Sequence, residues 1–208
     1  MRKSSKGQKR KLVQSEKPCY TVKKAKERRK KMNIAVYLGA KSGNDPIYTA
    51  AVRALGAWIA ENGHTLVYGG SNVGLMGALS DAAKEKGGKI IGISVRVEKI
   101  LKVRRDDLDE YIEAENVQLR KQLMMERSDA FIAIPGSLGT LDEITDVMAT
   151  VKLHLTDKPC ILYNLKGFYE PLRAMLKMMM AEGFLSDSEV DGITFANDFA
   201  DIVTALQK

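Results

Sequence analysis

The segment from Pro135 to Glu143 has the composition of a loop that binds a phosphate and brings acids close to it. It reads Pro-Gly-Ser-Leu-Gly-Thr-Leu-Asp-Glu and follows an apolar run, so we expect a buried strand to end there. Thr140 is expected to cap the next helix through its hydroxyl, which places Asp142 and Glu143 in the first helical turn. Glycine lets the backbone approach a ligand, and free N–H groups at a helix start bind anions. The segment therefore predicts a phosphate-binding loop.

The two acids of this segment cannot serve the same face of the helix. Consecutive helical positions point about 100° apart. Both acids suit the dipole at the start of a helix, and we expect one of Asp142 and Glu143 to face a cleft while the other is solvated or caps the helix.

Glycines also follow two other predicted strands, at Gly39–Gly43 and at Gly69–Gly74. The carboxyl ends of parallel strands line one edge of an open α/β sheet, and ligands bind there at the topological switch point. Three such turns on one edge favour a nucleotide or phosphate site over three unrelated tight turns. The dinucleotide fingerprint and the G-x-x-x-x-G-K-[ST] phosphate loop are both missing from the sequence, so NAD and ATP chemistry lose support.

The elements that would position these loops alternate between apolar, β-branched runs and amphipathic stretches. This pattern predicts a Rossmann-like α/β fold, an open parallel sheet with helices on both faces. The expected strands are 33–38, 65–69, 89–94, 130–135 and 160–164. The expected helices are 46–61, 74–86, 108–127, 140–153, 168–182 and 200–207.

Charge divides the chain into two parts. Residues 1–31 hold 14 Lys and Arg against 2 Glu, a net +12, whereas the remainder holds 19 basic and 24 acidic residues, a net −5. We expect a basic tail over 1–31, disordered or partly helical, and a Rossmann-like nucleotide-binding domain over 32–208. The tail is either a solvated extension or a nucleic-acid contact, and a charge run alone does not decide between them.

Other features narrow the class of protein. No apolar run approaches the roughly 20 residues of a membrane span, and the charged start lacks the apolar segment of a secretory signal. Cys19 and Cys160 are expected to be free thiols in a reducing compartment, so we expect a cytoplasmic protein. With only His64 and His154 and no clustered Cys, we expect neither a metal nor another cofactor.

Two long motifs resemble the lonely guy family of cytokinin-activating phosphoribohydrolases, which are often mislabelled lysine decarboxylases. Tyr68–Gly77 resembles the family's YGGGxxGLMG segment, and Pro135–Glu143 resembles its PGGxGTxxE motif. Leu119-Arg120-Lys121 falls where the family has MxxRK, and Asp157-Lys158-Pro159 and Glu182-Gly183-Phe184 also match family landmarks. The resemblance covers about residues 34–185, with the motifs in the family's order and spacing.

The resemblance implies a homodimer that hydrolyses plain or N6-substituted adenosine 5′-monophosphates to free base and ribose 5-phosphate. It makes Arg120 and Glu143 the catalytic pair. The further substrate-binding residues that it implies are Ser42, Gly70, Gly74, Met76, Lys121, Gly136, Ser137, Leu138, Gly139, Thr140 and Asp142.

The residue types of the pair suit that reaction. Breaking an N-glycosidic bond builds oxocarbenium character on the ribose, which a carboxylate such as Glu143 can stabilise while it orients the attacking water. Arg120 offers a fixed fork of donors for phosphate or ribose oxygens and stays protonated. Outside the motif, Arg120 would be read as a solvated surface residue and Met76 as core packing.

The sequence departs from the family pattern in places that affect the substrate. Ser137 replaces the second glycine of the loop, and Val117 and Gln118 stand where the family has Met and His. Lys152-Leu153-His154 replaces Gln-Leu-Gly, and residues 95–115 do not align, so Asp106, Asp107 and Glu110 are only nearby candidates for a further acidic ligand.

Other functions stay open at this point. A non-catalytic module of the same fold would bind a nucleotide or a molybdopterin cofactor without hydrolysing it, and would have little need for the Arg120 and Glu143 pair. An RNA-binding role would depend on residues 1–31 and on salt. The faces of the helices expected at 140–153 and 168–182, including Met178–Met180, are candidates for a symmetric dimer surface.

Overall fold

Seven parallel strands form one sheet in the computed structural model, which describes residues 30–207. The strands are β1 (Asn33–Tyr37), β2 (Thr65–Tyr68), β3 (Lys89–Val95), β4 (Glu110–Ala114), β5 (Ala130–Ala133), β6 (Cys160–Tyr163) and β7 (Ile193–Ala196). The helices are α1 (Pro46–Glu61), α2 (Gly74–Glu85), α3 (Glu98–Leu101), α4 (Val117–Glu126), α5 (Leu138–Lys152), α6 (Glu170–Ala181) and α7 (Phe199–Ala205). Short 3-10 turns occupy Leu165–Gly167 and Asp187–Val190.

The strand order places a switch point beside β1. The order across the sheet is β4-β3-β2-β1-β5-β6-β7, so the chain builds one half outward from β1 and then returns to add β5 on its other side. Loops after β1 and β5 therefore leave the same edge side by side, as a ligand-binding crevice requires. The predicted Rossmann-like parallel α/β fold is confirmed.

Helices cover both faces of the sheet because alternate side chains along each strand point into two separate apolar cores. Ile34 and Val36 of β1 belong to the core that α1, α2 and α7 close. Ala35 and Tyr37 belong to the core that α4, α5 and α6 close. This double burial explains why the central strands read as continuous apolar runs.

Two of the seven strands differ from the sequence prediction. The helix expected over 108–127 was wrong in its first half, which forms β4, and β7 was not predicted. Both lie at the edges of the sheet, where residues are only partly buried and the apolar signal is weak. Asn116 lies between β4 and α4. It caps α4, because its side chain accepts a hydrogen bond from the Leu119 N–H at 2.9 Å.

The chain enters the sheet at the amino edge, opposite the carboxyl edge that carries the glycine loops. Thr65 N–H donates to the Met32 carbonyl at 2.8 Å just before β1 begins. The predicted basic tail over residues 1–31 and its Cys19 lie almost entirely outside the described residues, which begin at Lys30. Within the described part, no helix is long and apolar enough to span a membrane.

Candidate active site

Arg120 on α4 and Glu143 on α5 form a buried ion pair at the carboxyl edge of the sheet. Nη1 of Arg120 donates to Oε1 of Glu143, and Nε donates to the Ile93 carbonyl of β3 at 2.9 Å. The two side chains are only 16% and 10% exposed. Two helices and a strand therefore hold the guanidinium and the carboxylate in one orientation.

Glu143 lies on the apolar stripe of its helix, which explains its burial. The buried positions of α5 include Thr140, Glu143, Ile144 and Val147, and their i, i+3, i+4, i+7 spacing is that of a core-facing stripe. An acid in that stripe costs free energy unless it is paired. Arg120 supplies the opposite charge.

Burial dominates the electrostatics of this acid. It raises the pKa of Glu143 above the ordinary range of a glutamate, while the adjacent Arg120 guanidinium acts in the opposite direction. The hydroxyl of Tyr37, at the end of β1, also has a raised pKa, first because of its burial and then because of Glu143. A buried carboxyl group beside a fixed cation is a common arrangement at catalytic sites.

Asp142 and Lys121 form a second, outer pair. Lys121 Nζ lies 3.0 Å from Oδ1 of Asp142 and 3.5 Å from Oδ2 of Asp146. Hydrogen bonding to Asp142 raises the pKa of Lys121 above its usual value. The adjacent acids Asp142 and Glu143 thus serve different faces of α5, as predicted.

Gly69, directly after β2, is contacted by two side chains of the site. A Cβ at this position would lie 3.2 Å from Arg120 Nη2 and 3.2 Å from Met76 Sδ. Only a residue without a side chain leaves this space open. Arg120 and Met76 therefore both border the space beside Gly69, and Met76 also packs against the core.

The loop after β5 differs in detail from its prediction. The N-cap of α5 is Ser137, which makes no side-chain cap hydrogen bond, so the predicted capping role of Thr140 was wrong. Because α5 begins at Leu138, Asp142 and Glu143 lie in its second turn and not in its first. Thr140 is buried instead, and a Cβ at Gly136 would lie 2.3 Å from its Oγ1.

A cavity of about 400 Å³ lies between the loops after β1 and β5. Its lining includes three predicted site residues, Ser42, Gly136 and Ser137. It also includes Tyr48 and Phe168, which sequence reasoning missed because neither lies in a motif. The Arg120–Glu143 pair is not part of this lining and lies towards β3.

The remaining predicted site residues shape the surrounding backbone. Gly74 has φ +58°, and a Cβ there would lie 2.1 Å from the Ala40 carbonyl oxygen, so the loops after β1 and β2 touch at this point. Gly70 has φ +78° and packs against Tyr111, away from the cavity. Leu138 and Gly139 are exposed on the first turn of α5.

A second cavity, of about 790 Å³, lies at the amino edge and contains none of the predicted site residues. His64 and His154 both line it, together with the family landmark Asp157-Lys158-Pro159. Across residues 30–207, no three His, Cys, Asp or Glu side chains come together as metal ligands would.

The sequence matches a family model and several curated proteins. The model of a family described as possible lysine decarboxylase matches residues 76–206. A cytokinin riboside 5′-monophosphate phosphoribohydrolase of Rhodococcoides fascians is 34% identical over 91% of this chain and 96% of its own length. Proteins of the same name are 34% identical in Mycobacterium tuberculosis, over 83% of this chain and 91% of theirs, and in rice, over 88% and 76%.

Solved structures share the fold at lower identity. The molybdenum cofactor binding protein of Rippkaea orientalis superposes with a TM-score of 0.62 at 24% identity, covering 86% of this chain and 97% of that one. A Moco carrier protein of Chlamydomonas reinhardtii gives 0.62 at 23% identity, over 86% and 96%.

The fold defines a Rossmann-like protein in which the loops after β1 and β5 border a cavity at the carboxyl edge of the sheet. The chain belongs to the lonely guy family of phosphoribohydrolases, whose family model carries the lysine decarboxylase description.

Proposed function

We propose that this protein is a phosphoribohydrolase that cleaves the N-glycosidic bond of plain or N6-substituted adenosine 5′-monophosphates. The products are the free base and ribose 5-phosphate. The observation that carries the proposal is the buried Arg120–Glu143 ion pair, whose Arg120 Nη2 lies beside Gly69 at the carboxyl end of β2. The names of the curated relatives support this substrate class.

The phosphate is assigned to the loop after β5. Gly136 and Ser137 line the cavity, and the first backbone N–H groups of α5 follow them directly. Such N–H groups carry the positive end of the helix dipole and bind anions. Asp142 and Lys121 neutralise each other outside this loop and belong to its rim.

Hydrolysis requires water oxygen to bond to C1′ of the ribose while the C1′–N bond breaks and its electron pair leaves with the base. The water loses one proton, and the departing base gains one. We assign Glu143 to stabilise the cationic ribose and to accept the water proton, since its raised pKa makes it a stronger base than an exposed glutamate.

Arg120 is assigned to substrate placement and charge balance. Its Nε and Nη1 donate to Ile93 and Glu143, and its Nη2 has no hydrogen-bond acceptor among the described residues. Nη2 lies 3.2 Å from the position that a Cβ would take at Gly69, so the missing side chain of this glycine leaves space beside it. We assign the Nη2 donors to a ribose or phosphate oxygen of the substrate.

The proposal includes the organisation of the chain. Residues 32–208 form the catalytic domain, two copies assemble as a homodimer, and the enzyme works in the reducing cytoplasm, where the buried Cys160 stays a free thiol.

Chromatography of free base after incubation with AMP and an N6-prenylated AMP tests the proposal. We expect base from both monophosphates and none from adenosine. A binding module of the same fold would release no base, although AMP would still raise its melting temperature. That outcome would replace the proposed hydrolysis with simple nucleotide binding.

A further inference from the structure

The loop after β1 contributes a lysine to the cavity that neither family motif contains. Lys41 lies within Gly39–Gly43 and lines the cavity together with Gly136 and Ser137. Every other lining residue is glycine, apolar, or an uncharged serine or tyrosine. Lys41 is thus the one residue with a charged side chain among the described residues that line this cavity.

No acid of the described structure neutralises Lys41. It takes part in none of the ion pairs formed between residues 30 and 207, and it is exposed. The acid of its own loop, Asp45, is already engaged on both oxygens. Oδ1 accepts from the Ile47 N–H at 2.9 Å, and Oδ2 lies 2.6 Å from Lys166 Nζ. An uncompensated cation in a concave surface attracts an anionic ligand.

Backbone contacts fix this loop against the phosphate-binding loop. A Cβ at Gly39 would lie 3.5 Å from the Gly136 Cα, and the Ala40 carbonyl contacts Gly74. The Asp45–Lys166 ion pair ties the same loop to the segment after β6. The base of the Lys41 side chain is therefore held beside Gly136, while its long, exposed stem leaves the ammonium free to reach a ligand.

We propose that Lys41 is a phosphate-selecting residue of this site, pairing with the dianionic 5′-phosphate of the substrate held at Gly136 and Ser137. This inference rests on the proposed function and adds a specificity determinant to it. Lysine acts as a compact point charge on phosphate. Lys41 favours nucleoside monophosphates over nucleosides and leaves the bond-breaking step to Arg120 and Glu143.

The test compares Lys41→Gln with Lys89→Gln, a matched exposed lysine at the amino end of β3. For Lys41→Gln we expect the KM for AMP to rise about tenfold or more, as for loss of one charge-assisted hydrogen bond, with kcat changed less than about threefold. Ribose 5-phosphate should raise the melting temperature of the wild type and of Lys89→Gln, and should do so much less for Lys41→Gln. Lys41→Arg should recover most of the affinity.

The outcomes separate this inference from the proposed function. Base release by the wild type with an unchanged KM and an unchanged ribose 5-phosphate shift in Lys41→Gln would overturn the role of Lys41 and leave hydrolysis intact. No base release, combined with a ribose 5-phosphate shift that depends on Lys41, would overturn hydrolysis and support Lys41 as the phosphate partner.

Discussion

Asp142 and Glu143 are adjacent in the chain, yet each pairs with a different cation. Glu143 lies in the buried stripe of α5 and meets Arg120, whereas Asp142 is exposed and meets Lys121. Arg120 and Lys121 are themselves adjacent on α4. Two neighbouring helices thus present an inner and an outer ion pair, and the burial of the inner pair raises the pKa of Glu143.

Glu143→Gln should abolish most turnover. The amide keeps the size of the side chain but cannot accept the water proton or stabilise a cationic ribose, so we expect kcat to fall about 10²–10⁴-fold. Binding of AMP, measured by the shift in melting temperature, should largely persist.

Glu126→Gln is the control for that variant, because Glu126 is an exposed glutamate at the end of α4 that contacts Gln122. It should retain the kcat of the wild type. Equal activity of the two variants would remove Glu143 from the mechanism.

Arg120→Met should make the stability of the protein depend on pH. Without the guanidinium, the pKa of Glu143 rises further, so the folded protein holds a proton that the unfolded chain releases. Stability then falls as pH rises above the ordinary glutamate pKa of about 4.3. At neutral pH we expect a loss of about 3–5 kcal/mol, as for one partner of a buried pair.

Urea unfolding of Arg120→Met at about pH 5 and pH 8 measures this dependence. Arg120→Met combined with Glu143→Gln should lose most of it, because no ionisable group is left at the inner pair. Equal stability of Arg120→Met at the two pH values would contradict a raised pKa of Glu143 in the folded variant.

Gly74→Ala should destabilise the fold, because the new Cβ would meet the Ala40 carbonyl at 2.1 Å and φ is +58°. Overpacking and left-handed strain together predict a loss of about 2–4 kcal/mol. Gly139→Ala is the matched control, since a Cβ there meets nothing within 4 Å, and a helical position should gain up to about 1 kcal/mol. Thermal melts of the two variants measure the difference in stability. Equal melting temperatures would contradict the close contact between Gly74 and the Ala40 carbonyl.

Met178→Glu should dissociate the proposed homodimer. The exposed apolar side chains near α5 and α6 include Leu153, Met175, Met178 and Phe184, which are 62%, 50%, 61% and 78% exposed. Sedimentation of the wild type should give twice the 23.0 kDa mass of one chain, and Met178→Glu should give the mass of a single chain. Lys89→Glu, at the amino edge, should stay dimeric, and a dimeric Met178→Glu would place the interface elsewhere.

The central part of the fold could be predicted from the sequence because its strands are buried on both faces. α1 begins and ends where it was predicted. It begins at Pro46 because the Asp45 side chain accepts a hydrogen bond from the Ile47 N–H and caps the helix. The edge strand β4 was read as helix because its partly buried residues carry charges between apolar positions. Asn116, as an N-cap, was the signal that separates it from α4.

The residues of the inner ion pair were identified through motifs, but their contact could not be. Arg120 and Glu143 are separated by 23 residues, and only the packing of α4 and α5 on one face of the sheet brings them together. Lys41 was visible only as part of a glycine turn. Among the described residues, Lys41 lacks a counter-ion because the nearby Asp45 pairs with Lys166 instead. Asp45 and Lys166 are 121 positions apart in the sequence, so this pairing could not be read from it.

The described chain begins at the amino end of β1, so Lys30 and the crevice lie at opposite ends of that strand, roughly 17 Å apart for five residues. In a chain shortened to begin at Lys30, a tether, a fusion partner or a solid support joined at that residue would therefore leave the crevice facing outward. Such a protein can be anchored from that side while small molecules exchange freely on the other.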